Sequence, residues 1–336
     1  MPDYNLFSLG HFPLECGQIL PDAKLAYKIY GELNAQKSNA ILVPSWYSGN
    51  HTGYEFLIQP DRCLDPTRYC IITVNMFANG LSSSPSATPA PLNGPHFPAI
   101  GIRDNVAAQY RLVHDQLGIE KLALVAGFSM GAQQTFQWAV SHPDMVERIV
   151  PLCGAARTTP HTYVFIEGFT SALKADAAWN GGEYDAAPDR GLRAMARVYA
   201  GWGFSQAWYR QELNKQIGHP SVEDFLVRFW ETFFLQCDAN DLLSQAKTWQ
   251  THNVGDTPGF GGDHKRALAS ITARAVVMPG QTDLYFPPED SAAEVECMPN
   301  AILKTVPSIW GHFCGAGINP VDTDFIDRAI KDCLAE

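Results

Sequence analysis

The 336-residue chain is 46% hydrophobic and carries 24 basic against 35 acidic side chains, a net charge of -11. That is enough apolar material for one large core, while the negative balance repels phosphate backbones and anionic lipid, so neither nucleic acid nor a membrane surface is an expected partner. Eight cysteines lie scattered without a CxxC pair and read as reduced thiols of a cytoplasmic protein; the first residues lack a leader's basic and apolar regions, and no apolar run approaches a membrane span.

Asn5 to Gln18 and Lys24 to Tyr30 alternate apolar and polar residues around Pro21-Asp22, which predicts antiparallel strands turning there. Ala40 to Val43 is wholly apolar, as in a buried parallel sheet, and ends in Pro44-Ser45-Trp46-Tyr47-Ser48-Gly49. Tyr69 to Val74 predicts another strand, followed by a polar, broken loop from Asn79 to Pro98. Asp104 to Leu117 has helical spacing and stops at Gly118; Leu122 to Ala126 reads as a strand, Gly131 to Val140 as a helix and Arg148 to Leu152 as a strand. Alternating strand and helix predicts an α/β fold, a mostly parallel sheet with helices on both faces.

From 158 to 260 the pattern changes. Gly191 to Gly201, Val222 to Phe234 and Asp241 to Thr251 read as helices, with no convincing strand between them, and Trp179, Trp202, Trp208, Trp230 and Trp249 fall in this segment. The reading is a core from 1 to 157 and 261 to 336, with an inserted helical lid whose aromatic rings line an apolar pocket or pack helix to helix. Sheet pattern returns at Ala275 to Met278 and Ile302 to Val306, and an amphipathic helix, Asp322 to Leu334, closes the chain.

Gly127-Phe128-Ser129-Met130-Gly131 places a serine on the turn between strand and helix. This is a nucleophile elbow: the turn is so tight that a Cβ on either flanking glycine would collide with neighbouring backbone. The helix beyond points unpaired N–H groups at any anion formed beside the serine. A serine hydroxyl needs a base, and an imidazole base needs an acid to fix its tautomer. Asp283 follows Ala275 to Met278, and His312 follows Ile302 to Val306, which gives the order Ser, Asp, His of the α/β-hydrolase arrangement. Glu289 and Asp290 compete for the acid role from beyond Pro287-Pro288. For the developing oxyanion, the expected donors are the N–H of Met130 and one from the loop after Val43, at Tyr47 or its neighbour Trp46. His51, His96 and His264 lack metal-ligand spacing, so no metal is expected. Neither GxGxxG after a strand nor GxxxxGK[ST] occurs, so no nucleotide cofactor is implied.

With these residues placed, the chain resembles the homoserine O-acetyltransferase family of α/β-hydrolase-fold enzymes over nearly its whole length. The likeness lies in Tyr27-Lys28-Ile29-Tyr30-Gly31-Glu32-Leu33-Asn34, Ile102-Arg103-Asp104, Leu117-Gly118-Ile119-Glu120, the elbow, Asp238-Ala239-Asn240 and Thr282-Asp283-Leu284-Tyr285-Phe286-Pro287-Pro288. The resemblance implies a Ser129, Asp283 and His312 triad, oxyanion donors at Tyr47 and Met130, a helical lid and dimerisation through that lid. It breaks at the substrate. Where the family places an arginine for the homoserine carboxylate, this chain offers Thr170; where it places an aspartate for the amine, this chain has Phe313. A zwitterion would be left desolvated and unpaired. With Trp46, Thr170 and Phe313 as pocket residues, the expected activity is hydrolysis of a neutral or apolar ester, thioester or amide through an acyl-serine, with no cofactor. The alternatives are an O-acyltransferase of altered acceptor, with acyl-CoA as co-substrate, and a non-catalytic ligand-binding protein of the same fold.

Overall fold

The computed structural model describes residues 2–336. Eight strands form one sheet in the order β1-β2-β4-β3-β5-β6-β7-β8: β1 (Asn5–Pro13), β2 (Ile19–Tyr30), β3 (Ala40–Pro44), β4 (Cys70–Val74), β5 (Leu124–Phe128), β6 (Arg148–Leu152), β7 (Arg274–Val277) and β8 (Ala301–Leu303). β1 and β2 pair antiparallel, β2 joins β4 antiparallel, and every other pairing is parallel. β3, β4 and β5 are buried throughout, which is why their sequences are unbroken apolar runs rather than alternating ones.

Helix α1 (Ile102–Tyr110), extended by a π-helical turn over Arg111–Gln116, packs on α2 (Met130–Ser141), which lies against β5 and β6. The hairpin departs from the sequence expectation. It turns at 14–18, where Leu14 N–H donates to Gln18 O and Gly17 N–H to Leu14 O. Pro21-Asp22 lies inside β2 instead, at a register shift between the Phe12–Leu20 and Gly10–Ala23 pairs, with Asp22 at φ 49. A proline and a left-handed aspartate serve a bulge as well as a turn, because both break the ladder locally; here Pro21 and Asp22 together stand opposite the single residue His11.

Between β6 and β7 the chain is helical. It comprises α3 (Pro160–Lys174), α4 (Asp189–Gly203), a helix α5 over 222–234 with a π-helical middle, and α6 (Ala239–Gln250). Periodicity assigns no helical range to α3, yet its start is well specified: Thr159 caps it through the Thr162 N–H, and Pro160 occupies its first turn. α3 packs on α4 and α6. Their shared interior is aromatic, with Phe165, Phe169, Tyr199 and Trp249 touching one another and Tyr47 below them. After β7 come α7 (Pro288–Val295) and the closing helix α8 (Pro320–Ala335), which contacts β6 and β7.

Candidate active site

Ser129 sits between the end of β5 and the start of α2 with φ 58 and ψ -122, a backbone state that costs free energy in any residue but glycine. Its N–H donates to Leu152 O on β6 at 2.9 Å, one of the contacts that hold the strained turn. Both flanking glycines are required. A Cβ at Gly127 would lie 2.2 Å from Gly131 O, and one at Gly131 would lie 2.5 Å from Pro44 O. Ser129 is buried, and its hydroxyl has no hydrogen-bond partner among the described residues. It lines a cavity of about 430 Å³.

His312 lines the same cavity. It lies on a short 3-10 turn, Gly311–Gly315, and Gly311 (φ 62) lets that turn approach the backbone of residues 203–205. Its Nδ1 faces Asp283 Oδ2 at 2.7 Å, and neither side chain is appreciably exposed. The other carboxylate oxygen, Oδ1, accepts the N–H groups of Tyr285 and Phe286 at 2.8 and 3.1 Å. The carboxylate is therefore aimed by its own backbone, and an acceptor at Nδ1 places the ring's other nitrogen, Nε2, free for a proton. Phe128, Tyr285 and Phe286 pack round the imidazole with centroids at 4.6, 4.6 and 5.7 Å. The competitors for the acid role, Glu289 and Asp290, stand in the first turn of α7.

Trp46 to Gly49 form a tight turn directly after β3, closed by Gly49 N–H to Trp46 O at 2.9 Å, with Ser48 at φ 60. A positive φ at the third position is the type II signature. The N–H groups of Tyr47 and Met130, expected to hold an oxyanion, are not donated to any described residue; Met130 opens α2, whose first N–H groups have no intrahelical partner. Sequence reasoning missed Tyr54, which ties the two halves of this arrangement together. Its hydroxyl donates to Pro44 O at 2.9 Å and accepts Phe128 N–H at 2.8 Å, joining the ends of β3 and β5. The indole of Trp46 stands edge-on between Tyr54 and Phe128.

The cavity wall is mostly aromatic: Trp46, Tyr47, Phe128, Tyr199, Trp230 and Phe313 among others. Burial pushes the Tyr47 and Tyr199 hydroxyls well above the usual phenol range, so both stay neutral. Phe313 stacks on Phe204 with centroids 4.6 Å apart and meets Trp230 edge-on at 5.2 Å. Thr170 does not line the cavity. It is buried within the lid, and its hydroxyl donates back to Ile166 O at 2.8 Å. Much of the wall comes from α5, through Phe229, Trp230, Phe233 and Phe234. Those rings recur at spacings of four along the sequence, the one signal that could have nominated this helix face. Arg228 reaches the rim, largely exposed and paired with Asp224 at 2.8 Å. Away from the cavity, His51 pairs with Asn75 and Asp3, and His96 with Glu183; no group of three potential metal ligands occurs among the described residues.

A serine at a strand-to-helix elbow and a histidine held by a carboxylate at the ends of parallel strands define a serine hydrolase or acyltransferase of the α/β-hydrolase superfamily. Residues 47–313 match the family model described as alpha/beta hydrolase fold, and the chain belongs to that family. Within it, the chain is 40% identical over 335 residues to the ethyl acetate hydrolase of Pseudomonas veronii, spanning 99% of this chain and 95% of that protein. The crystal structure of an acetylester hydrolase from Corynebacterium glutamicum superposes with a TM-score of 0.96 at 38% identity, covering 99% of this chain and 96% of that one. The resemblance read from sequence holds as well: a homoserine O-acetyltransferase of Chlorobium chlorochromatii is 31% identical over 317 residues, 90% of this chain and 87% of that protein.

Proposed function

We propose that this enzyme hydrolyses small, neutral carboxylic esters. Ser129 attacks the carbonyl while His312 takes its proton, and Asp283 fixes the imidazole's tautomer and steadies the imidazolium that forms. The N–H groups of Tyr47 and Met130 receive the oxyanion. The alcohol leaves with the proton from His312, and a water activated by the same ring then releases the acid. The observation that carries the choice of substrate is Phe313, an apolar ring in the cavity wall directly after His312. Apart from His312, the only ionisable lining groups among the described residues are the buried, neutral tyrosines and Arg228, which is exposed at the rim and already paired. An amino-acid zwitterion would lose its hydration there without gaining partners. The named activities of the 40% and 38% identical relatives point the same way.

The test is turnover of ethyl acetate and p-nitrophenyl acetate together with labelling by a fluorophosphonate. Wild type should do both, and Ser129→Ala neither. Failure of wild type to label or to turn over would favour a ligand-binding protein of this fold. Release of CoA from acetyl-CoA only when homoserine or another alcohol is added would favour the transferase. A homodimer built on the lid is part of the same proposal, supported by Tyr163, Val164, Val222, Val227 and Phe233, which are large apolar residues exposed on α3 and α5. Sedimentation of wild type against Val164→Glu tests it. Eight unpaired thiols fit a cytoplasmic setting, and no described helix is long and apolar enough to cross a membrane.

A further inference from the structure

We propose that Gln245, on lid helix α6, is a positioning residue for the turn that carries the Tyr47 N–H; this rests on the hydrolase reading above. Gln245 is 1% exposed, and its Oε1 accepts the Ser48 N–H at 2.7 Å across 197 positions of sequence. Its Nε2 has no partner among the described residues. Burying an amide with one end unsatisfied is costly, and the one bond this side chain makes is through its oxygen. That oxygen holds the Tyr47–Ser48 peptide in the orientation that puts Ser48 at φ 60. Types I and II of this turn differ by a flip of that one peptide, and the left-handed form is the dearer for any residue with a Cβ. The peptide is pinned at both ends, its N–H by Gln245 and its carbonyl by the Ser48 hydroxyl, which donates to Tyr47 O at 2.5 Å.

The helix supplying Gln245 is itself anchored to the core. One turn earlier Asp241 accepts the N–H and hydroxyl of Ser86 at 2.9 and 2.6 Å, and one turn later Thr248 donates to Ile100 O at 2.8 Å. Strained backbone survives at a site only where its surroundings over-determine it. Here the lid supplies that constraint, and with it the aim of an oxyanion donor. Remove the acceptor, and Ser48 relaxes toward negative φ while the turn loses its fixed relation to Ser129.

Gln245→Leu removes the acceptor at similar volume. Gln245→Glu keeps an acceptor oxygen at the same position. Losing an oxyanion donor outright costs about 10²- to 10³-fold in kcat, so loosening one should cost about 10- to 100-fold. With p-nitrophenyl acetate, Gln245→Leu should show that loss with KM within about twofold, because the donor acts on the transition state. The inhibition constant of a trifluoromethyl ketone, which forms an oxyanion adduct, should rise by the same factor. The pH midpoint of kcat should not move, and Gln245→Glu at pH 6 should recover most of the loss. A folded Gln245→Leu with wild-type kcat and inhibition constant overturns the proposal, as does a loss that Gln245→Glu fails to rescue. If instead Ser129→Ala keeps its turnover, it is the hydrolase reading that fails.

Discussion

Asp283→Asn separates the tautomer of His312 from its placement. In the native chain Oδ1 accepts two backbone N–H groups, from Tyr285 and Phe286, while Oδ2 faces His312 Nδ1 at 2.7 Å. An asparagine has a single acceptor oxygen, and the two converging N–H donors claim it. Its NH2 is then turned on Nδ1, donor against donor, unless the ring moves its proton to Nε2. That is the nitrogen which the proposed mechanism uses as base toward Ser129. The wrong tautomer costs serine enzymes of this design about 10⁴-fold in kcat, or about 5 kcal/mol at about 1.4 kcal/mol per decade. Shape and hydrogen-bond count are kept, so the thermal midpoint should stay close to wild type. Asp283→Ala, by contrast, strands both backbone N–H groups and should lower stability by about 1–3 kcal/mol for each. Stopped-flow turnover of p-nitrophenyl acetate alongside calorimetry gives both numbers. A folded Asp283→Asn enzyme with more than about one-hundredth of wild-type kcat, two decades above the expected loss, would refute the tautomer argument.

Glu294 is buried on α7, and desolvation raises its carboxyl to about 8; its Oε1 accepts the Ala156 N–H, and its Oε2 has no partner among the described residues. A folded-state pKa above the unfolded one means stability is complete below about 4.5 and is lost as pH rises to about 8. Glu294→Gln keeps the acceptor without the ionisation, so its thermal midpoint should gain on wild type between those pH values; a pH-independent difference would contradict the assignment. Gly131→Ala puts a methyl group 2.5 Å from Pro44 O and 2.9 Å from the Tyr54 hydroxyl. Backbone must move to admit it, so the thermal midpoint should fall by several degrees and turnover by at least about tenfold, as for overpacking at a buried site; a fully active, equally stable variant would show the turn to be slack. Phe313→Ala removes a ring stacked on Phe204 and edge-on to Trp230, and because that ring is only partly buried at the cavity wall it should cost about 1–3 kcal/mol, less than a fully buried one. The space gained should raise kcat/KM for butyrate relative to acetate esters about tenfold, read from a series of p-nitrophenyl esters; an unchanged chain-length profile would place Phe313 outside the acyl pocket.

What the sequence makes legible here depends on the range over which each feature is specified. The elbow is local: five consecutive residues, two of them glycines with backbone oxygens at 2.2 and 2.5 Å from where a Cβ would stand, state their own geometry. Asp283 and His312 are legible as a facing pair beside the serine's cavity because the order of strands dictates which loops reach that end of the sheet. The hairpin was misplaced because Pro21-Asp22 suits a bulge as well as a turn, and only the pairing of β1 with β2 decides between them. Thr170 was misdirected for a related reason. Phe165 and Phe169 took the inward face of α3, packing on Tyr199 and Trp249, and a residue a quarter-turn round returned its hydroxyl to its own helix. Gln245 left no trace at all, since a glutamine in an amphipathic helix looks like any solvated residue until the contact 197 positions away exists. The lid thus enters the reading twice, first as an aromatic wall to which, of its five tryptophans, Trp230 contributes while the others pack elsewhere, and then as the clamp on the Trp46–Gly49 turn, which no tryptophan signals. A change that loosens α6 alone, none of whose described residues lines the cavity, should cost turnover before it costs ester binding, and the two would separate in kcat and KM.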